Sequence, residues 1–396
     1  MEHSITHVID AEARRRLAIL AAVCVAALAL PLAFSGGAVA TPAIGRALGA
    51  SSAFAASGKL ADPTALNWIT NAFMLSFGSL LMAAGALADL YGRKRVFIAG
   101  LTGFVLCSLA LACVPTLLAV DLLRAAQGAA AAAALAGGTA ALAQEFEGEA
   151  RTRAFGALGA TFGLGLAFGP LIAGVLIQYA SWRAIFLSGG LACMLSLVFG
   201  ARHLRESRDP HAHGIDWPGT LSFTLALSSF TFGVIEAPVR GWMSLPVVAL
   251  LAASALLACV FVIVETRSAR PMLDLSLFRY PRFVGVQVLP IATCYCYIVL
   301  LVVLPLRMIG VDGLREIDAG CLMIALSAPM LVVPFVAAAL TRWLSMGILC
   351  ASGLVLAAGG LLWLAVALHA GPEAAIAPMV LIGIGAGLPW GLMDGL

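Results

Sequence analysis

Charge is what this chain has least of. Asp, Glu, Lys and Arg together make up 11% of its 396 residues, against roughly 25% in an average soluble domain. So few charges cannot cover a water-facing surface or hold a chain open by self-repulsion, which excludes a soluble globular protein and a disordered one. The formal net charge of +3 is too small an excess to suggest a nucleic-acid partner. Lysine is nearly absent, a bias of GC-rich coding composition rather than of chemistry.

Metal and disulfide chemistry are missing as well. All nine cysteines fall inside apolar runs, and none stands in a C-x-x-C or Cys/His ligand spacing, so they read as small packing residues and no metal is expected. The histidines are 3, 7, 203, 211, 213 and 369, all in loops or at helix ends. His211 and His213 read as solvated loop rather than ligands. No Ser/His pair or paired carboxylates face one cavity, so nothing points to an enzyme. No cofactor motif occurs, and no soluble domain of a sensor is appended.

What remains is apolar: 62% of residues are hydrophobic and the mean hydropathy is +1.03. About 20 apolar residues cross a bilayer core. Twelve such segments are present, at about 17–43, 65–89, 96–115, 117–142, 153–178, 181–202, 216–236, 244–264, 283–309, 318–340, 345–369 and 374–395. Backbone in lipid must satisfy its own hydrogen bonds, and the runs do not alternate as barrel strands do, so all are expected to be helices. With the N-terminus in the cytoplasm, sixteen Lys and Arg lie inside, six outside, and Arg124 within a helix. The excess of basic loops inside sets the orientation: Ser207 is expected to face the cytoplasm and Ser57 the outside of the inner membrane. The expected organisation is a cytoplasmic tail at 1–16, six helices over 17–203, cytoplasmic loops with two extra helices (216–236 and 244–264) over 204–282, and four helices over 283–396.

Three stretches carry motifs. The turn after segment two reads Gly85-Ala-Leu-Ala-Asp89-Leu-Tyr-Gly92-Arg93-Lys94-Arg95. Gly85 is expected to let another helix approach closely, and Gly92 suits a turn with positive φ. Asp89 ends a helix, against the local dipole, and needs a partner such as Arg93 or another helix's N-terminus. Segment five contains Gly156, Gly159, Gly163, Gly165, Gly169, Pro170 and Gly174. Two GxxxG pairs, 159/163 and 165/169, are expected to make bare faces, and Pro170 to break the bond to Leu166 and bend the helix. Segment four carries Asp121, Arg124 and Gln127 at three-residue intervals on one face. Arg124 is either functional or one half of a pair snorkelling outward. The Ala/Gly run 128–142 that follows reads as close packing.

These residues resemble the major facilitator superfamily. Gly85–Arg95 resembles its signature loop between helices two and three, with Leu90 where an Arg is usual. Gly156, Gly165, Gly169, Pro170 and Gly174 resemble the drug:proton antiporter signature, with Ala173 replacing one Gly. Leu122–Gly128 is similar to the helix-four motif, whose Arg is tied to proton transfer in that family. Ser181–Phe186, Asp216–Gly219 and Pro271–Phe278 are similar to the fourteen-helix antiporters of the EmrB/QacA type, in which two extra helices separate two six-helix halves.

The resemblance implies an all-α polytopic membrane protein exporting small amphipathic molecules against protons by alternating access. It implies Trp68, Asn71, Arg124 and Gln127 in the cavity, with Asp121 holding Arg124 or itself titrating. Two departures stand out. Helix one has no acidic residue: Ala33 aligns with the family's acid, so a facilitator, or a metabolite transporter uncoupled at helix one, is the alternative. The chain also stops at Leu396, two helices short of fourteen. The expectation is an incomplete second half, lacking transport competence, with Gly383, Gly385, Gly387 and Asp394 left without partners.

Overall fold

Leu- and Ala-rich runs without water to solvate their backbone have one way to satisfy it, and every regular element among the described residues is helical. The computed structural model describes residues 2–49, 63–208, 216–268, 273, 275–390 and 392. In chain order the helices are α1 (Glu2–Gly49), α2 (Pro63–Tyr91), α3 (Arg93–Cys113), α4 (Leu117–Glu145), α5 (Gly148–Tyr179), α6 (Trp182–His203) and α7 (Trp217–Arg240). They continue with α8 (Leu245–Arg267), α9 (Pro281–Gly310), α10 (Glu316–Ser327), α11 (Pro329–Leu340), α12 (Met346–Ala367) and α13 (Ile376–Trp390). Twelve candidate spans result, α10 and α11 sharing one from Glu316 to Ala337.

α1 is continuous from Glu2, so the polar stretch up to Arg16 runs as helix into the first span. One segment differs from expectation. The segment expected at 318–340 is divided after Ser327. Pro329 has no N–H to offer the carbonyl four residues back, so the ladder is interrupted there. Ser57, His211, His213, Asp274 and Asp394 lie outside the described residues.

The chain divides into two compact units. Unit one holds Met1–Ala29, Ser52–Gly159 and Leu187–Ser276, and unit two holds Leu30–Ser51, Ala160–Phe186 and Leu277–Leu396. In unit one the Ala/Gly run of α4 lies directly on its neighbours. A Cβ on Gly137 would come within 2.6 Å of the Phe97 nitrogen, and one on Gly100 within 2.8 Å of the Ala130 carbonyl. Gly128 faces the backbone of Phe73 on α2 in the same way. α7 and α8 form a hairpin in which Ser254 donates to the Ala226 carbonyl at 2.9 Å. That hairpin meets α2 through Thr224, which donates to the Ser79 carbonyl at 3.2 Å.

In unit two the glycines of α13 are filled from several sides. Gly383 faces the Leu326 carbonyl, Gly385 the backbone of Gly353 and Ala357, and Gly387 the side chain of Val333. The expectation that they lack partners is therefore corrected: α10, α11 and α12 supply them. Gly85 departs the other way, since nothing lies within 4 Å of where its Cβ would be.

These contacts predict opposite outcomes for two glycines. Gly137→Leu must push α3 away from α4, and overpacking of this kind costs about 1–3 kcal/mol. A clear fall in the thermal midpoint of purified protein is expected. Gly85→Ala is expected to stay within about 0.5 kcal/mol of wild type. Equal behaviour of the two variants would contradict the close-approach reading.

Candidate functional site

The three polar residues of α4 lie one helical turn apart on one face, and α2 and α3 both reach that face. Arg124 and Gln127 are both 0% exposed. Arg124 Nε donates to the Ile69 carbonyl of α2 at 2.8 Å, and its NH1 donates to Gln127 Oε1 at 2.7 Å. The guanidinium carbon stands 4.3 Å from the centroid of the Phe73 ring, a cation–π contact. Gln127 Nε2 in turn donates to Ser108 Oγ on α3 at 2.9 Å. The snorkelling alternative is thereby corrected. The cation is directed into the packed helices and solvated there by a carbonyl, an amide and an aromatic face.

Asp121, one turn earlier, is partly buried, and its Oδ1 is out of reach of solvent with no hydrogen-bond partner. The bonds described for Arg124 thus run to Ile69 and Gln127 rather than to this carboxyl. Trp68 and Asn71 do not join the cluster in the same way. The Trp68 ring lies 5.0 Å from that of Phe232 on α7, and Asn71 is partly buried on the same helix.

The turn between α2 and α3 is built as its sequence suggests. Gly92 has φ 118°, a conformation that L side chains rarely adopt. A Cβ there would also meet the Glu206 carboxyl group. Arg93 donates to Asp89 Oδ1 through Nε at 3.1 Å and NH2 at 3.0 Å. An acid at a helix C-terminus and a base at a helix N-terminus each oppose the dipole, and pairing them offsets both. Arg93 also reaches Gln144 of α4 at 2.8 Å, and its backbone N–H donates to the Ser207 carbonyl at 2.8 Å. Arg95 pairs with Glu206 at 3.4 Å, while Lys94 is partly buried in the first turn of α3. Beside this turn lies a cavity of about 500 Å³ lined by Glu12, Arg15, Arg16, Glu145, Arg205 and Glu206, among others. Arg15 bonds Glu12 at 2.6 Å and also Glu145, so much of the charge there is mutually paired.

The glycines of α5 from Gly163 onward lie in unit two. Gly169 faces Ser35 and Leu32 of α1. A Cβ on Gly174 would come within 2.5 Å of the Glu316 carbonyl, and one on Gly320 of α10 within 2.8 Å of the Pro170 carbonyl. The bare-face expectation holds at Gly169, and Gly174, outside the two expected pairs, is closely approached as well. It fails at Gly163, where nothing lies within 4 Å of a Cβ, and exposed Gly156 is likewise open. Gly165 is buried, and Pro170 stays inside the continuous helix.

Sequence reasoning missed Ser108, Phe73 and the Ile69 carbonyl. Ser108 left a signal, a hydroxyl in an otherwise apolar stretch, whereas a backbone acceptor leaves none. No group of three or more His, Cys, Asp or Glu among the described residues could hold a metal ion.

Known proteins place this architecture. A family model described as Major Facilitator Superfamily matches residues 21–396. The chain is 29% identical over 326 residues to the multidrug resistance protein Stp of Mycobacterium tuberculosis, covering 81% of this chain and 59% of that protein. It is 29% identical over 314 residues to the tetracenomycin C resistance and export protein of Streptomyces glaucescens, covering 79% and 56%. Identity to the cephamycin export protein CmcT of Amycolatopsis lactamdurans is 33% over 338 residues, covering 82% and 68%. The chain thus spans 56% to 68% of the length of these relatives. In fold it is similar to the xylose transporter XylE from E. coli, with TM-score 0.58 and 15% identity over 94% of this chain and 85% of that one. It is also similar to a peptide transporter POT, with TM-score 0.61 and 14% identity over 93% and 79%. With its helical architecture and a family match from residue 21 to residue 396, the chain belongs to the Major Facilitator Superfamily.

Proposed function

We propose that this protein exports small amphipathic organic molecules across the bacterial inner membrane by alternating access, coupled to protons through α4. The observation that carries the reading is the fully buried cation Arg124 beside a carboxyl, Asp121, whose Oδ1 accepts no hydrogen bond. Ionisable groups inside spans are costly and mark ion or substrate pathways by default. A carboxyl in that position can accept a proton or a cationic substrate, and the cation one turn away responds to which it holds. The relatives named for multidrug resistance and antibiotic export support the substrate class. The placement among fourteen-helix antiporters, with two six-helix halves and α7–α8 as the insert, rests on the stretches Ser181–Phe186, Asp216–Gly219 and Pro271–Phe278. Trp68 and Asn71 are carried as substrate-side candidates on α2.

The stretch of α1 from Leu17 to Gly49, which holds no acid, favours a second reading, a facilitator without proton coupling. One experiment separates the two. The full chain is reconstituted in proteoliposomes, and proton-driven accumulation of a panel of amphipathic dyes is measured with dye-dependent proton release. Asp121→Asn is expected to abolish proton release and uphill transport while leaving downhill exchange. Uphill transport by Asp121→Asn would overturn coupling at this carboxyl. Arg124→Ala is expected to lower uphill transport by about tenfold or more, since it removes the one cation of α4 that can respond to the charge of Asp121. Arg124→Lys is expected to do the same, because an ammonium cannot reproduce the planar fork that reaches Ile69 and Gln127 together. Full activity in Arg124→Lys would mean that a point charge suffices.

Orientation follows from the basic loops. In a cysteine-free background, a single cysteine at Ser207 is expected to resist an impermeant maleimide in intact cells. One at Met243, 91% exposed in the turn between α7 and α8, is expected to react. The reverse pattern would invert the topology.

A further inference from the structure

Ser108, Arg124 and Gln127 are polar side chains wholly removed from solvent, and their hydrogen bonds form a directed chain. Arginine can only donate, so Gln127 must present Oε1 to it, as it does at 2.7 Å. Gln127 Nε2 then points the other way and requires an acceptor, which Ser108 Oγ supplies at 2.9 Å. The serine is itself confined, since a Cβ on Gly190 of α6 would approach Ser108 Cβ to 2.8 Å. Arg124 has a second place to go. Asp121 lies one turn back on the same face, and its Oδ1 accepts no bond.

We propose that Ser108 is a positioning residue for coupling: by holding Gln127 it keeps Arg124 on the Gln127–Ile69 side, and so governs how readily the guanidinium closes onto Asp121 when that carboxyl is ionised. This rests on the reading of Asp121 as the proton site. Few other groups compete. The stretches 17–45 of α1, 63–88 of α2, 96–113 of α3 and 184–201 of α6 contain no charged residue. Their titratable side chains are the thiols Cys24, Cys107, Cys113 and Cys193. On α4 itself the remaining acid, Glu145, stands at the far end, bonded to Arg15.

The sign of the effect follows. Removing the Ser108 hydroxyl frees the Gln127 amide and lets Arg124 spend more time at Asp121. An opposite charge close by favours the ionised carboxyl. Protons must then be taken up from more acid solution, and the acid limb of the transport profile moves to lower pH.

The test uses the full chain in proteoliposomes with ethidium as the probe, measuring initial rates of proton-driven transport across a range of pH. Ser108→Ala is expected to leave membrane level and ethidium affinity at wild-type values and to shift the acid limb by about half a unit or more to lower pH. Gln127→Leu is expected to shift it the same way, and the double variant no further, because both changes cut one chain. Ser108→Cys keeps the size but weakens the acceptor, and is expected to shift the limb by less. In the Asp121→Asn background, which keeps only downhill exchange, adding Ser108→Ala is expected to leave the pH profile of that exchange unmoved, and a shift there would overturn the proposal. An unmoved profile in both serine variants, a shift to higher pH, or additive effects of Ser108→Ala and Gln127→Leu would each overturn the proposal. The two readings fail separately. Normal coupling in Arg124→Ala and Asp121→Asn removes the proton site itself. Loss of coupling in those variants, with serine variants unmoved, removes only the role of Ser108.

Discussion

A cation inside a medium that cannot solvate it must be solvated by the protein, and Ile69, Gln127 and Phe73 supply part of that solvation for Arg124. The guanidinium carries five donors in a fixed plane. Described partners are a backbone oxygen from α2 and an amide oxygen from α4, with the Phe73 ring against its face. Each sits on a helix that must be held at hydrogen-bond range. Breaking such a set leaves a charge buried without compensation, which costs several kcal/mol. The position of α2 relative to α4 is therefore set by a polar requirement as much as by apolar packing.

Small residues make that range attainable. Between helices in lipid there is no hydrophobic drive, so contact, hydrogen bonds and close backbone approach do the work. Gly128 admits the backbone of α2 at Phe73, one turn from Ile69. Gly100 and Gly137 admit the backbones of α3 and α4 to each other. A methyl group at either place would separate the helices, and a bond such as that from Gln127 to Ser108 weakens steeply beyond its 2.9 Å. The alanine and glycine run of α4 and its polar face are two parts of one device.

Much of this was legible in the sequence, for identifiable reasons. Helix number and placement followed from long apolar runs, because length and hydropathy alone decide whether a segment can span. The turn at Gly92 was legible because positive φ narrows the choice of residue, and the Asp89–Arg93 pair because both charges are misplaced against their dipoles. Direction was not legible. Periodicity put Asp121, Arg124 and Gln127 on one face, yet could not say whether Arg124 pointed outward or into the bundle. That choice depends on acceptors from other helices, one of them the Ile69 carbonyl, which has no sequence signature. Glycines misled for a related reason: a GxxxG spacing permits contact, but only a partner helix makes it, as at Gly169 and not at Gly163. The break before Pro329 was missed because eight other prolines stand inside helices here without ending them.

The acids of the spans can be sorted by what already holds them. Glu236 of α7 accepts from Arg240 at 2.5 Å, near the end of its helix. Glu265 closes α8 and accepts from the Leu273 backbone at 3.4 Å. Glu316 is bonded to Arg46, and Asp318 accepts from Arg315 at 2.7 Å, both in the first turn of α10. Glu145 is bonded to Arg15 at the end of α4, and Asp89 to Arg93 at the end of α2. α1 brings no acid at all between Leu17 and Gly49. These carboxylates stand at helix ends, where a charge can stabilise a turn without crossing the membrane. What sets Asp121 apart is the buried cation one turn away, Arg124, which is held by other groups. A group that moves protons needs both an open acceptor and a neighbour whose position its charge can change. Among the described residues α4 provides that pair, so proton coupling in this chain, where it occurs, has its natural seat on α4 rather than on α1.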